Sequence, residues 1–324
     1  VSTRTGTNEL LLWEVIMKIV DLHCDTISSI QKNGQSLYNN NCHFDLERAR
    51  KAGIGVQFFA MFTMPQGMNE SLRQILKQVE KYHTELDLCQ EYLQPVYTYD
   101  DIVAAESMGK MAGILHLEGA EAIGNDSEIL SLLYRLGLRS LGLTWNNRNL
   151  LADGVGEEPC AGGISSKGKE IIYLMEKLGI MLDLSHISVK SYYDALKLYS
   201  KPVLVTHANA RALCNHRRNL DDSQLKALAE NDGVIGINQV PDFIKEDGKP
   251  ESNDLLDHIV YISDLIGVEH VALGSDFDGA DVLVMQGVEE YSRWPHLLAD
   301  RGFTPAESDM ILNENALRVI KAVL

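Results

Sequence analysis

The chain has 324 residues, 45% of them hydrophobic and 23% charged, enough apolar material for one large domain or two ordinary ones. A formal net charge of −17 leaves no basic surface to displace counterions, which excludes nucleic acid as a partner. No apolar run reaches the roughly 20 residues of a membrane span, which argues against a membrane-embedded protein.

Residues 1–7 are polar and patternless. The apolar piece at 10–17 is too short for a signal peptide and has no small-residue cleavage site. Met17 reads as a natural start, and Trp13-Glu14-Val15 can be encoded by codons containing a ribosome-binding sequence. Residues 1–16 are therefore expected to be a translated leader or an appended extension, followed by a single domain at 17–324.

Eight apolar, β-branched-rich runs follow, at 18–26, 54–62, 111–119, 138–145, 179–186, 202–208, 233–240 and 270–277. Helical spacing fills most of the gaps. Leu72, Ile75, Leu76 and Val79 mark a helix over 70–92, and others are expected at 128–136, 165–178, 189–199, 222–230, 253–266 and 306–323. Ser188 and Thr304, the latter before Pro305, are suited to cap two of them. Alternating strands and helices in this number predict an α/β fold, a (β/α)₈ TIM-type barrel. The alternative is an open doubly wound sheet, but no Gly-x-Gly-x-x-Gly follows the first strand.

In such a barrel the strand C-terminal ends form the active face. His23 and Asp25 end the first run and are expected on one strand face, roughly 7 Å apart. Glu118, His186, His207 and Asp276 end four others. Three imidazoles and three carboxylates form a mixed set suited to zinc, with manganese or cobalt as alternatives. Six candidates exceed the needs of one catalytic zinc, so two ions sharing a carboxylate are expected. His23 and Asp25 would serve one, His186 and His207 the other, and Glu118 both. Asp276 is left for proton transfer. The cysteines Cys24, Cys42, Cys89, Cys160 and Cys214 lack C-x-x-C spacing and read as free thiols of a reducing, cytoplasmic compartment.

The motifs Val20-Asp-Leu-His-Cys-Asp-Thr26, Gly55-Val-Gln-Phe-Phe59, His116-Leu-Glu-Gly-Ala120, Leu182-Asp-Leu-Ser-His186, Thr206-His-Ala208 and Gly274-Ser-Asp-Phe-Asp-Gly279 together resemble the membrane (renal) dipeptidase family, in its bacterial form. That resemblance implies a metallo-dependent hydrolase barrel with two zinc ions and the same ligand assignment, with Asp276 as the proton-transfer acid. It also implies that Arg218, rather than its neighbour Arg217, grips the free carboxylate of a dipeptide, since a planar guanidinium matches a carboxylate bidentately. Dipeptides with a C-terminal D-residue are an implied substrate class. A homodimer is implied too, although no residue pattern shows one. Where mammalian members have Leu-Thr-His, this chain reads Leu143-Thr144-Trp145-Asn146, so Trp145 or Asn146 is expected at the substrate in place of histidine.

That change keeps a second reading alive, an N-acyl-amino-acid deacylase or a lactam or lactone hydrolase on the same metals. A catalytically silent metal- or peptide-binding barrel is the reading from another class, which the presence of every candidate ligand disfavours. His116 is expected to back the site rather than ligate, and Asp278 to shape a loop. His43, His83, His258, His270 and His296 are expected in surface or core roles.

Overall fold

A computed structural model describes residues 18–324, and the expected leader at 1–16 lies outside the described residues. Each of the eight apolar runs contains a strand, all paired in parallel. They are β1 (Ile19–Cys24), β2 (Ile54–Phe62), β4 (Met111–Glu118), β5 (Leu138–Gly142), β6 (Met181–Asp183), β7 (Leu204–Ala208), β8 (Val234–Ile237) and β9 (Val271–Leu273). The order β2-β1-β9-β8-β7-β6-β5-β4 closes on itself because β2 also pairs with β4, from Val56 opposite Ala112 to Phe62 opposite Glu118. This is the expected (β/α)₈ barrel.

One short strand was not expected. β3 (Leu93–Pro95) lies along β4 at Met111–Gly113, the same edge that β5 takes over from Leu115 onward. Three residues ending in proline carry no alternation to read. The helix expected over 70–92 spans Met68–Leu88, because the chain must turn before β3. Short helices at Thr26–Asn33, Leu46–Ala52 and Tyr99–Ser107 also went unread, since each buries only two or three side chains. Pro241–Ile244 and Trp294–Asp300 were not expected either, and the helix expected over 306–323 is interrupted by a π-helical turn at Met310–Glu314. Expected helices that stand include Asp222–Glu230, Val189–Leu198 capped by Ser188, and the start of the last one at Pro305–Asp309, opened by a Thr304 capping box.

The lower barrel is filled by Val20, Leu22, Val56, Phe58, Ala112, Ile114, Met181, Leu204, Val234 and Ala272, sealed by Val319, Ile320 and Val323 of the last helix. Strands from all round the sheet supply this layer, as a packed barrel interior requires. A larger apolar cluster packs the strands' outer faces against the helices. The open end is the C-terminal rim, where β-ladder hydrogen bonding stops early. β6 ends at Asp183 and β9 at Leu273, so the expected strands to His186 and Phe277 are too long. His186 and Asp276 have φ of 64° and 63°, a left-handed conformation incompatible with a strand. Among the described residues no helix is long and apolar enough to cross a membrane.

Candidate metal centre

Two of the rim histidines owe their direction to register slips. Asp21 pairs with Gln57 but Cys24 with Phe59, so β1 carries one residue more than its partner around His23. Likewise Val205 pairs with Ile235 but Ala208 with Ile237, around His207. An extra residue turns the following side chain to the other face. Simple alternation would set His23 opposite to Leu22, and His207 opposite to Leu204, both of which lie in the barrel layer. The slips instead bring the rings of His23 and His207 to 3.9 Å between centroids. Asp25 is past the end of β1 and reaches back, its Oδ2 3.2 Å from His23 Nε2. The two thus converge as expected, but through a slip and a helix entry rather than strand alternation.

Glu118, at the last position of β4, stands between two sets of groups. Its Oε2 is 3.7 Å from His23 Nε2, while its Oε1 is 2.8 Å from His186 Nε2 and 3.6 Å from His207 Nε2. His23, Asp25 and Glu118 form one cluster with donor atoms within 4.8 Å of one another, and Glu118, His186 and His207 form a second. Asp276 adds a third with His23 and His207. Its Oδ2 accepts a hydrogen bond of 2.8 Å from Asn238 Nδ2, and its Oδ1 lies 4.0 Å from His23 Nε2.

The electrostatics fit a divalent cation. Burial raises the carboxyls of both Asp25 and Glu118 above their usual range, Glu118 far above it. Burial, then the Arg218 and His23 charges, holds His186 well below 6.5; burial, then His23 and Arg218, does the same for His207. Both imidazoles are thereby neutral, the form that ligates metal. At His23 burial opposes the charge, but Glu118, Asp25 and Asp276 override it and push the group up to about 10. Clustered carboxylates thus demand positive charge, as a proton on His23 or as metal. Asp25 Oδ1 is buried with no hydrogen-bond partner, a free lone pair consistent with ligation.

The centre opens into a cavity of about 590 Å³ lined by Phe62, Trp145, Asn146, Arg218, Phe243 and Asp276, among others. Arg218 is 4% exposed, its Nε has no acceptor, and its Nη2 donates to the His207 carbonyl oxygen; Arg217 is exposed. Trp145 packs between Phe62, at 5.3 Å, and the His186 ring, at 5.9 Å. Asn146 lines the cavity, but its Oδ1 accepts from His186 Nδ1 at 2.8 Å, orienting that imidazole. His116 lies behind the centre, its Nδ1 2.9 Å from Ser140 Oγ and its ring edge-on to His23, without joining any of the three clusters. Asp278 ties loops together, accepting from Thr26 Oγ1 at 2.6 Å and the His43 backbone N–H at 2.7 Å. Cys24 is wholly buried, and all five cysteines are free.

Sequence reasoning passed over Asn238, which lies inside the run read at 233–240 but stands directly after β8, as Asp25 does after β1. Gly279 entered only as the end of a motif, with no role assigned. A Cβ there would stand 2.6 Å from Asp25 Oδ2 and collide with Asp276 Oδ1, so the loop closes over the centre only as glycine. Phe62 read only as strand core.

A barrel whose strand-end face gathers histidines and carboxylates around one cavity is that of a metal-dependent hydrolase. The sequence profile of the family described as Membrane dipeptidase (Peptidase family M19) matches residues 12–324. Dipeptidase tcpJ of Claviceps purpurea is 32% identical over 295 residues, covering 87% of this chain and 69% of that protein. Dipeptidase aclJ of Aspergillus oryzae is 33% identical over 291 residues, covering 85% and 69%. A metallopeptidase from Rhodobacter sphaeroides, solved with a phosphinate mimic of the dipeptide L-Ala-D-Ala, superposes with a TM-score of 0.89 at 26% identity, covering 95% of this chain and 100% of that one. The chain belongs to the membrane dipeptidase family, and it is a metal-dependent dipeptidase.

Proposed function

We propose that the centre holds two divalent ions, zinc in the first instance, and that the enzyme cleaves dipeptides including those with a C-terminal D-residue. The observation that carries this reading is Glu118, whose two oxygens face different ligand sets, His23 with Asp25 on one side and His186 with His207 on the other. Divalent ions held by these residues would supply a nucleophile at neutral pH by lowering the pKa of bound water, and would polarise the scissile carbonyl.

The chain's own residues do the rest. Asn238 occupies Asp276 Oδ2, leaving Oδ1 toward the centre to take a proton from the attacking water. Asp276 returns that proton to the departing nitrogen as the C–N bond breaks, yielding a carboxylate and an amine. Arg218 receives the substrate's free carboxylate on its unpaired Nε edge, which sets the distance from C-terminus to scissile bond and so favours dipeptides. Trp145 and Phe62 form an apolar wall beside His186. Tolerance of a D-residue is supported by the relative that binds a mimic of L-Ala-D-Ala.

The test is hydrolysis of L-Ala-D-Ala, L-Ala-L-Ala and N-acetyl-D-Ala by zinc-loaded and chelator-treated protein, with metal content measured in parallel. Chelator-sensitive cleavage of both dipeptides at two metals per chain is expected. Cleavage of N-acetyl-D-Ala alone would replace this reading with a deacylase.

A further inference from the structure

His207 can ligate through Nε2 only if its proton sits on Nδ1. Beneath it lies a wholly protein-made device that decides this. Asp183, the last residue of β6, is 1% exposed and takes no part in the clusters around the cavity. Its Oδ1 accepts from the Ser185 backbone N–H at 3.0 Å, the Ser185 hydroxyl at 2.9 Å and the Thr206 backbone N–H at 2.9 Å. Its Oδ2 accepts from the Thr206 hydroxyl at 2.8 Å. That same hydroxyl oxygen is 2.9 Å from His207 Nδ1.

The proton count settles the direction of each bond. Thr206 spends its single hydroxyl proton on Asp183 Oδ2. Its oxygen must then accept from His207, which places a proton on Nδ1 and leaves the Nε2 lone pair facing Glu118 and His186. Asp183 also anchors Ser185, the residue before His186, whose left-handed backbone needs outside support. The other imidazole is oriented separately, by Asn146.

We propose that Asp183 is a positioning residue that acts through Thr206 to set the tautomer of His207, and thereby the affinity for the metal on the His186–His207 side alone. This rests on the reading of His186 and His207 as ligands. Groups that orient a ligating histidine typically contribute 10–100-fold to metal affinity.

Asp183→Asn makes a sharp test. The backbone N–H groups of Ser185 and Thr206 cannot rotate away, so they require the amide oxygen at the Oδ1 position. The amide NH₂ then faces Thr206 Oγ1, reverses the Thr206 bond, and makes Thr206 donate to His207 Nδ1. The proton is driven to Nε2, where it blocks the metal.

The experiment titrates zinc into metal-free full-length protein against a competing chelator, resolving the two binding constants. Nitrogen-15 NMR of the histidine rings reports the His207 tautomer. Asp183→Asn should weaken one zinc by 10–100-fold, leave the other unchanged and move the His207 proton to Nε2. Thr206→Val, nearly isosteric, should weaken the same zinc, and Thr206→Ser should restore it. Because Thr206→Val leaves Asp183 in place, it decides the matter if Asp183→Asn fails to fold. Two unaltered constants in both variants, or equal weakening of both zincs, would overturn the proposal. His186→Ala separates it from its premise. If His186→Ala still binds two zinc ions with wild-type constants, the ligand reading itself fails. If it loses one while Thr206→Val loses none, only the role of Asp183 fails.

Discussion

Arg218 is anchored by the residue it serves beside, its Nη2 donating to the His207 carbonyl oxygen at 3.1 Å while its Nε remains unpaired. If Arg218 is the proposed carboxylate clamp, it is held by the backbone of a proposed metal-binding histidine, and substrate length would be measured from the metal centre. Burial lowers the guanidinium's pKa, with the nearby Asp276, Glu118 and Asp183 charges opposing that. A hydrogen bond to a charged group contributes about 1.5–3 kcal/mol, roughly tenfold to 150-fold. Arg218→Ala should therefore lower kcat/KM for L-Ala-D-Ala by that factor, mainly through KM, and hardly alter cleavage of the corresponding dipeptide amide. Arg218→Lys should recover little, lacking the two-pronged geometry. Equal losses on acid and amide in steady-state assays would remove the clamp from the account.

Asp276 makes one hydrogen bond to Asn238 and holds a left-handed backbone, with Ser275 fastened beneath it. Ser275 donates through its backbone N–H and its hydroxyl to the two Asp21 oxygens, each at 2.7 Å. Asp276→Asn should reduce kcat about 10²–10⁴-fold, the usual contribution of general acid–base catalysis, while both metals remain bound. Asn238→Ala should give a smaller fall in kcat. Loss of metal in Asp276→Asn, measured by elemental analysis, would instead make Asp276 a ligand.

Gly279→Ala puts a methyl group where Asp25 and Asp276 face each other. The fold lies below that loop, so circular dichroism and thermal melting of the metal-free protein should barely change. Zinc affinity and kcat should both fall by at least tenfold, since Asp25 must give way. A fully active Gly279→Ala enzyme would show that the loop moves aside.

His258 provides the pH prediction. Its Nδ1 accepts from the Ala210 backbone N–H at 3.1 Å, and its Nε2 donates to the Ile244 carbonyl at 3.0 Å, so the ring is neutral with both nitrogens used. Burial, the largest cause, lowers its pKa below 6.5. The unfolded chain then binds the proton more readily, so this contribution to stability is whole above pH 6.5 and is lost progressively as the pH falls from there through the lowered folded-state pKa. Urea unfolding at pH 7.5 and 5.5 should show a smaller difference for His258→Gln than for the parent. The same difference in both would mean that another group titrates.

Much of the centre was legible in the chain itself. Eight apolar runs each ended at or near a polar residue, and a parallel barrel must bring such ends to one face, so His23, Glu118, His186, His207 and Asp276 could be named together. Arg218 was named through family likeness, not from the pattern of its loop, and the structure places it in the wall of the same cavity. Two features resisted reading because no local signal encodes them. β3 is three residues long, and Asp183 looks like one more polar residue in a buried strand until its distant partners are known.

The sequence alone determined which side chains could meet, because hydrophobic periodicity dictates the strands and strand direction dictates the rim. Only the tertiary structure decided how they face one another. The slips in β1 and β7 turn His23 and His207 inward, and left-handed residues aim His186 and Asp276. Those choices depend on neighbouring strands and on hydrogen bonds such as Asp183 to Thr206 and Asp21 to Ser275, which join residues 23 and 254 positions apart. A register slip costs local ladder bonds and is held by such long-range contacts, so it exists only once the barrel has closed.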